Sequence, residues 1–209
     1  MPSREVFTGD GIAWIQQAAL GPEHAIVTSL PDASELPLLG FGGWRAWFRE
    51  TAALLCASGA GVNIFYQTDI KHEGAWVDKG VLVAMGAEDA GAHCLWHKIV
   101  CRAPPGQATA GRPAYAHLLA FSRALRLSPG QTSPDVLPGL GAMPWPRAMG
   151  TAACEAVARF LTRHTPCRVV VDPFCGVGTM LAVANQHGLD AVGVELSPRR
   201  AARARDLVL

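Results

Sequence analysis

Hydrophobic positions along the chain follow two periods, one typical of helices and one typical of strands. Apolar residues recur at three-residue and four-residue spacing in segments 11–20, 42–58 and 151–164, which predicts three helices. Ser197 as N-cap and Pro198 at the first helical position predict a further helix over 197–209. Compact apolar runs rich in β-branched or aromatic residues predict strands at 24–28, 62–68, 93–102, 115–122, 169–171 and 191–194. Segment 80–85 is apolar but too short for its period to distinguish helix from strand.

The order of these elements predicts an α/β protein. From residue 169 onward, strand, helix, strand and helix alternate, with one helix beginning at Thr179, and such a βαβ unit indicates a mostly parallel sheet. A chain of 209 residues fits a single domain. Segment 127–146 is rich in proline and glycine, so we expect a linker or mobile loop there, between an N-terminal half (1–126) and a C-terminal half (147–209).

Composition narrows the class of protein. Hydrophobic residues make up 50% of the chain and charged residues 17%, which is typical of a globular protein. A formal net charge of +1 provides no general attraction for a polyanion, so a nucleic-acid site must be a local patch. No apolar run approaches the roughly 20 residues of a membrane span, and no apolar signal core follows the N-terminus. We therefore expect a cytoplasmic protein without a membrane partner.

The six cysteines have no CxxC spacing, and a chain with this large a core does not need disulfides. We expect reduced thiols, most of them buried. A zinc site formed by His93, Cys94, His97 and Cys101 is an alternative. Spacing of this kind also arises by chance within a strand, and the prediction is that no metal is bound.

The most informative stretch is a glycine-containing turn between a strand and a helix. Asp172 follows the strand, Gly176 and Gly178 allow the backbone to approach a ligand closely, and the helix N-terminus lies beside them. Glu195 ends the next strand 23 residues after Asp172, close to the spacing at which an acidic residue contacts a ribose hydroxyl. The pattern predicts a bound nucleoside. A tight turn that binds nothing is the alternative.

The letters of this turn, Asp-Pro-Phe-Cys-Gly-Val-Gly-Thr from residue 172, resemble the S-adenosylmethionine loop of the methyltransferase superfamily, especially of the nucleic-acid amino-methyltransferases. The resemblance implies a Rossmann-like methyltransferase fold, with helices on both faces of the sheet, and S-adenosyl-L-methionine as cofactor. It also implies a set of cofactor-binding residues: Asp10, Asp172, Pro173, Phe174, Cys175, Gly176, Gly178, Thr179, Glu195 and Leu196. Asp10 could equally be only a helix cap, and Cys175 is expected to be a wall residue and no nucleophile.

Only about 30 residues follow Gly178, too few for the remaining strands, so the other half of the fold must precede the loop. This order resembles the circularly permuted class of DNA amino-methyltransferases over nearly the whole chain. In that class Asp, Asn or Ser, followed by two prolines and an aromatic residue, contacts the target amine and stacks on the base. The corresponding residues here are Ser29, Leu30, Pro31 and Asp32, with Asp32 in place of the stacking ring. An ordinary turn after a strand is the alternative.

The later strands also resemble those of the permuted enzymes, in Trp96-His97-Lys98 and in the run from His117 to Ser122. Loop cations and aromatic residues could serve a phosphate and a stacked base. The predicted substrate-binding residues are Asp69, Lys71, Trp76, Lys98, Arg112 and Tyr115. Arginines in 197–209 form either a solvated helix face or a nucleic-acid contact.

The resemblance implies a methyltransferase that acts on a nucleic-acid base. Segment 127–146 stands where permuted DNA enzymes carry a target-recognition domain and is too short to form one, so RNA, tRNA included, is favoured over DNA. A methyltransferase for a small molecule or a protein is one alternative, and a catalytically silent cofactor-binding subunit is another. A homodimer remains open.

Overall fold

The computed structural model describes residues 1–209. The helices are α1 (Gly11–Gln17), α2 (Gly40–Ala57), α3 (Lys79–Asp89), α4 (Thr151–His164), α5 (Thr179–Gln186) and α6 (Pro198–Asp206). The strands are β1 (Arg4–Thr8), β2 (His24–Thr28), β3 (Val62–Gln67), β4 (Ile70–His72), β5 (Ala75–Val77), β6 (His93–Cys101), β7 (Tyr115–Ser122), β8 (Val136–Leu137), β9 (Val169–Asp172) and β10 (Asp190–Glu195). Two short 3-10 turns, Ala33–Glu35 and Pro37–Leu39, lead into α2.

Eight strands form one sheet in the order β1-β10-β9-β2-β3-β7-β6-β8. The first five run parallel to one another, β7 runs antiparallel to both of its neighbours, and β8 runs parallel to β6. The C-terminal strand β9 lies between β10 and the N-terminal strand β2. The two sequence halves therefore share one sheet, and the predicted α/β architecture with a mostly parallel sheet is confirmed.

Each face of the sheet is covered by three helices, as expected for a doubly wound fold. Helices α4, α5 and α6 contribute to a core cluster of 28 buried residues on one face. Helices α1, α2 and α3 contribute to a cluster of 17 on the other, centred on Trp44 and Phe48, both fully buried. No helix of the chain has both the length and the apolar character that crossing a membrane requires.

The structure contains elements that the hydrophobic pattern did not predict. The edge strand β1 buries only Val6, so its sequence lacks the alternation of a half-buried strand. Strands β4 and β5 pair as a short hairpin with Glu73 and Gly74 at its turn, each with a positive φ. Segment 80–85, left undecided, lies within α3, whose N-cap Asp78 accepts a hydrogen bond from the Val81 amide.

The expectation that 127–146 contains no regular element was wrong in one place. Residues Val136 and Leu137 form β8 against Ile99 and Val100 of β6. No proline interrupts this pair, so its backbone groups are free to bond with β6. Lys98 holds the same segment by donating hydrogen bonds to the Ser133 carbonyl and to the Asp135 carboxylate.

Candidate active site at the carboxyl ends of the parallel strands

A cavity of about 790 Å³ opens at the carboxyl ends of the five parallel strands. Its lining includes residues that follow each of these strands: 9–12 after β1, 29–32 after β2, 68–71 after β3, 173–177 after β9 and Leu196 after β10. From β9 the chain continues to β10 on one side, and from β2 it continues to β3 on the other. Ligands of open α/β sheets bind in the crevice at such a switch point.

Asp172 lies at the centre of this crevice. One of its carboxylate oxygens accepts hydrogen bonds from the Thr28 hydroxyl at 2.6 Å and from the Phe174 amide at 3.1 Å. Burial raises the pKa of Asp172 to about 7, and the Thr28 hydrogen bond opposes that rise. A buried carboxyl whose pKa lies near neutrality gains its charge most readily when a cation binds beside it.

The turn after Asp172 is shaped by two glycines in left-handed backbone conformations. Gly176 has a φ of 56°, and a Cβ placed on it would meet nothing within 4 Å. Gly178 has a φ of 82° and packs against Ala204 of α6, where a Cβ would come within 2.9 Å. Gly176 thus lines the cavity, whereas Gly178 lies outside it and fixes the approach of α5 to α6.

Thr179, the first residue of α5, supplies an unsatisfied polar group to the site. Its residue is 4% exposed and lines the cavity, and its Oγ1 has no hydrogen-bond partner in the chain. Buried hydroxyls nearly always have a partner. The unpaired Thr179 hydroxyl lies near the open turn at Gly176 and the Asp172 carboxyl, whose pKa is near neutrality. These groups fit a polar, cationic ligand such as the methionine portion of S-adenosyl-L-methionine.

Glu195 ends β10 and is held by its own chain. Its Oε2 accepts a hydrogen bond from the Gly176 amide at 3.1 Å. Its Oε1 accepts from the Ser197 amide at 2.7 Å and from Arg200, whose guanidinium lies 2.6 Å away at its nearest nitrogen. An ionised carboxylate offers about four acceptor positions. Oε1 is therefore crowded, and Oε2 keeps room for a ligand hydroxyl.

The other predicted cofactor residues form walls of the same compartment. Asp10 caps α1 by accepting a hydrogen bond from the Ala13 amide, which confirms the helix cap, and it also lines the cavity, where its contact with the cofactor stays a prediction. Phe174 packs edge-on against Trp47 of α2, and Leu196 is 71% exposed at the rim. Pro173 and Cys175 line the cavity as well, and burial raises the pKa of the Cys175 thiol, as expected for a wall residue.

The loop after β2 carries Ser29, Leu30, Pro31 and Asp32, all four of which line the cavity. The Pro31 carbonyl accepts a hydrogen bond from the indole nitrogen of Trp44 at 3.1 Å. This anchor takes one acceptor position of the Pro31 carbonyl. Leu30 is 2% exposed and belongs to the core beneath the cavity.

Asp32 is paired with Lys79, the first residue of α3, through its Oδ1. The Lys79 side chain is 4% exposed, whereas the Asp32 side chain is 33% exposed. The Asp32 amide donates a hydrogen bond to Glu35 at 3.1 Å, which fixes the loop from its other side. Asp32 therefore presents a rigid, partly exposed carboxylate to the cavity.

Asp69 is the centre of a buried hydrogen-bond network. His117, Trp76 and the Lys79 amide donate to its carboxylate at 3.0, 3.1 and 2.8 Å. Tyr115 lies at 3.5 Å, so it and Trp76 support Asp69 from outside the cavity. Burial alone would raise the pKa of Asp69, but the hydrogen bonds from His117, Lys79 and Trp76 outweigh it and lower that pKa.

The network continues from His117 to the surface. The His117 Nδ1 and the His97 Nε2 lie 2.9 Å apart, and burial and the charge of His117 lower the pKa of His97. Asp69, Asp78 and His117 place three ligand atoms within 4.8 Å of one another, a group that could hold a metal ion. The hydrogen bond between Asp69 and His117 already joins two of those atoms.

Three cations line the cavity without a carboxylate partner: Lys71, Arg102 and Arg112. Each of the other three cations at the cavity is neutralised, in the pairs Lys79 with Asp32, Arg147 with Glu35 and Arg200 with Glu195. Unpaired cations next to a ligand cavity favour an anionic group on the ligand.

Lys98 does not join this group. Its side chain is 5% exposed, pairs with Asp135 and lies outside the cavity, so its predicted contact with substrate has no geometric support. The alternative zinc site also does not assemble. His93 binds the Leu125 carbonyl, His97 faces His117, and Cys94 is exposed while Cys101 is buried.

Solved structures of other proteins share this fold, although no protein-family model and no curated protein matches the sequence. The structural matches extend over nearly the whole chain. A candidate DNA modification methylase from Thermus thermophilus, complexed with S-adenosyl-L-methionine, superposes with a TM-score of 0.66 at 20% identity, covering 97% of this chain and 92% of that one.

The PvuII DNA methyltransferase, cytosine-N4-specific, superposes with a TM-score of 0.72 at 15% identity, covering 99% of this chain and 87% of that one. A complex of M1.HpyAVI with S-adenosyl-L-methionine gives 0.60 at 16% identity, covering 97% and 98%. The chain has the methyltransferase fold. The Rossmann-like architecture expected from the loop at Asp172 is therefore confirmed across its full length.

Several residues at the cavity were not predicted as site residues. Trp47, Tyr66 and Arg147 line it without any signal in the sequence. Lys79 and Arg102, which also line it, were among the loop cations considered for a phosphate but were not predicted as site residues. Arg200 lines it as well. Arg200 belongs to the arginine-rich helix, for which a solvated face or a nucleic-acid contact was expected. Instead Arg200 binds Glu195, and Arg205 of the same helix binds the Val6 carbonyl. In the sequence, only the short separation of five residues between Glu195 and Arg200 could have indicated this ion pair.

Proposed function

We propose that the chain is a methyltransferase that transfers the methyl group of S-adenosyl-L-methionine to an exocyclic amine of a nucleic-acid base. One observation carries the proposal. Asp172 ends β9, Ser29 follows the neighbouring parallel strand β2, and both line the same cavity, so the predicted donor loop and the predicted acceptor loop lie side by side. The hydrogen bond between Thr28 and Asp172 ties the two strand ends together.

The residues divide into a donor side and an acceptor side. On the donor side, Asp172 would face the cationic methionine portion, Oε2 of Glu195 a ribose hydroxyl, and Leu196 the adenine. This assignment follows the prediction from the sequence. The unpaired Thr179 hydroxyl and the open turn at Gly176 support it. When bound, the cofactor supplies an already electrophilic methyl carbon, so positioning is the main task of the protein.

On the acceptor side, the Ser29 hydroxyl and the Leu30 carbonyl would accept hydrogen bonds from the target amine and orient its lone pair. In the transfer, the bond from the amine nitrogen to the methyl carbon forms as the carbon–sulfur bond breaks, and the amine then releases a proton. S-adenosylhomocysteine is the second product. Lys71, Arg102 and Arg112 would contact the phosphates that flank an extruded base.

The preference for RNA over DNA rested on the missing recognition domain. The present chain covers 92% of the Thermus DNA modification methylase, so the lack of an additional domain does not separate the two substrate classes. RNA, with tRNA as its leading example, remains the sequence-based prediction. The cytoplasmic location and a homodimer likewise remain predictions.

The test uses purified full-length protein, S-adenosyl-L-methionine with a labelled methyl group, and total RNA and genomic DNA from cells that lack the gene. We expect label in at least one nucleic acid, together with cofactor binding by calorimetry. Cofactor binding without label in either nucleic acid would favour a small-molecule or protein substrate, or a silent subunit. Absence of cofactor binding would reject the methyltransferase itself.

A further inference from the structure

The cavity carries an ion pair where the permuted methyltransferases that the sequence resembles carry a stacking ring. Asp32 occupies that position, and the buried ammonium of Lys79 binds its Oδ1. The Lys79 ammonium also lies 5.9 Å from the centre of the Phe48 ring, and Asp32 is the one carboxylate within 4 Å of it. A buried ammonium without a counter-charge is costly, so the pair holds the Asp32 carboxylate in place.

The geometry leaves the second carboxylate oxygen available. Oδ1 is held by Lys79, the amide of Asp32 is held by Glu35, and Pro31 is held by Trp44. The Asp32 carboxylate also accepts from the Glu35 amide in a capping box, and Oδ2 pairs with no side chain of the protein. A carboxylate has about four acceptor positions, so Oδ2 keeps one for a ligand in the cavity that Asp32 lines. An ionised carboxylate can only accept hydrogen bonds, so the ligand must offer a donor at this point.

Base edges differ in the group beside the exocyclic amine. In adenine and cytosine that neighbour is a ring nitrogen with a lone pair, which a carboxylate oxygen repels. In guanine it is N1, which carries a hydrogen and is a donor. Enzymes that act on an extruded base distinguish bases by such contacts to the Watson–Crick edge.

We infer that the target is guanine, with its N1–H donating to Asp32 Oδ2 and its N2 amine held by Ser29 and Leu30 for methylation. The inference rests on the proposed function and specifies its substrate. The N2–methyl bond forms as the carbon–sulfur bond breaks, and the N2 proton passes to water. Lys79 acts as a positioning residue, because it contacts Asp32 and not the base.

The experiment identifies the methylated nucleoside. Total RNA and genomic DNA are incubated with the full chain and labelled S-adenosyl-L-methionine, digested and separated by mass spectrometry. We expect the label in N2-methylguanine. For Asp32→Asn, we expect methylation of guanine to fall about 10-fold to 100-fold, since a matched pair of base contacts contributes discrimination of that order.

The structure offers a matched control. Lys98 and Asp135 form a second pair of a buried ammonium with a carboxylate, outside the cavity. Asp135→Asn should leave guanine methylation and the methylated position unchanged. Because Asp32→Asn leaves the Lys79 charge buried and unpaired, the double variant Asp32→Asn with Lys79→Gln serves as the check on folding. It should bind the cofactor as the wild type does and lose guanine methylation.

The outcomes separate this inference from the proposed function. Label in N6-methyladenine or N4-methylcytosine would overturn guanine as the target and leave the nucleic-acid methyltransferase intact. Guanine methylation by Asp32→Asn at the wild-type rate would overturn the role of Asp32. Cofactor binding with no label in any nucleoside would overturn both.

Discussion

The hydroxyl of Thr28 donates a 2.6 Å hydrogen bond to the carboxylate of Asp172, joining the ends of two neighbouring parallel strands. These residues are 144 positions apart in the chain. One ends the strand that leads to the proposed acceptor loop, and the other begins the proposed cofactor loop. Because the contact supports the ionised form of a buried carboxyl, it links the electrostatics of the two halves of the site.

Cofactor binding should therefore depend on pH. Burial raises the pKa of Asp172 to about 7, so a cationic ligand must promote its ionisation. We expect the affinity for S-adenosyl-L-methionine to fall about tenfold for each pH unit below about 7 and to level off above it. Without ligand the sign is reversed, because a carboxyl with a raised pKa loses its contribution to folding stability as pH rises from about 4 to about 7.

Thr28→Val should move this profile to higher pH by about one to two units, because a hydrogen bond to a charged group is worth about 1.5 to 3 kcal/mol. Thr28→Ser keeps the hydroxyl and should retain the wild-type midpoint. Calorimetric titrations between pH 5.5 and 8.5 would measure both. A flat profile, or equal midpoints for the valine variant and the wild type, would contradict the assignment.

Gly11 should be intolerant of any side chain. A Cβ on Gly11 would lie 1.9 Å from the Pro173 carbonyl oxygen, so the cofactor loop or α1 would have to move. We expect Gly11→Ala to lower the free energy of unfolding by about 1 to 3 kcal/mol and to weaken cofactor binding. Gly9→Ala is the control, since a Cβ there meets nothing within 4 Å. Similar denaturation midpoints for the two variants would argue against this packing.

Glu195→Gln should weaken cofactor binding at least tenfold, because a neutral amide replaces the charged acceptor proposed for the ribose. The control is Glu155→Gln on α4, where Glu155 binds Arg159 and His187. Both variants change a glutamate that accepts from a cation, but only Glu195 lines the cavity. If Glu195→Gln and the wild type had equal dissociation constants for the cofactor, Glu195 would not be a cofactor-binding residue.

The unpaired cations should determine how nucleic-acid binding responds to salt. Arg102→Ala and Arg112→Ala should each weaken binding and reduce the slope of log K against log salt by about 0.7 on single strands, the value for one phosphate contact. Lys98→Met should leave the slope unchanged, since Lys98 pairs with Asp135 outside the cavity. Fluorescence anisotropy across a salt series would measure the slopes. An altered slope for Lys98→Met would indicate that Lys98 contacts the substrate after all.

Much of the fold could be predicted because buried helices and strands have characteristic patterns of apolar residues in the sequence. Strand β2 is almost entirely buried and reads as a continuous apolar run, and α4 shows its buried face at helical spacing. The elements that were missed lack such a pattern. Only one residue of β1 is buried, and β8 has only two residues. Their pairing depends on distant partners that local sequence does not reveal.

The candidate site was predictable where glycine and acidic residues stand in a known spacing, as at Asp172, Gly176 and Glu195. It was less predictable where a side chain acts through a tertiary partner. Nothing in the local sequence of Lys79 indicates that its ammonium binds Asp32, 47 residues away. Likewise, the Trp44 indole reaches the Pro31 carbonyl only because α2 packs beneath the acceptor loop.

The insertion of β9 between β10 and β2 has a consequence for biosynthesis. While the ribosome is still translating the middle of the chain, β2 has β3 on one side and an unsatisfied row of amides and carbonyls on the other. The peripheral β1 has no strand to join until β10 exists, because β10 is its sole partner. The nascent polypeptide therefore carries two open sheet margins until the last strands are made, and during that interval chaperones would have the most to protect.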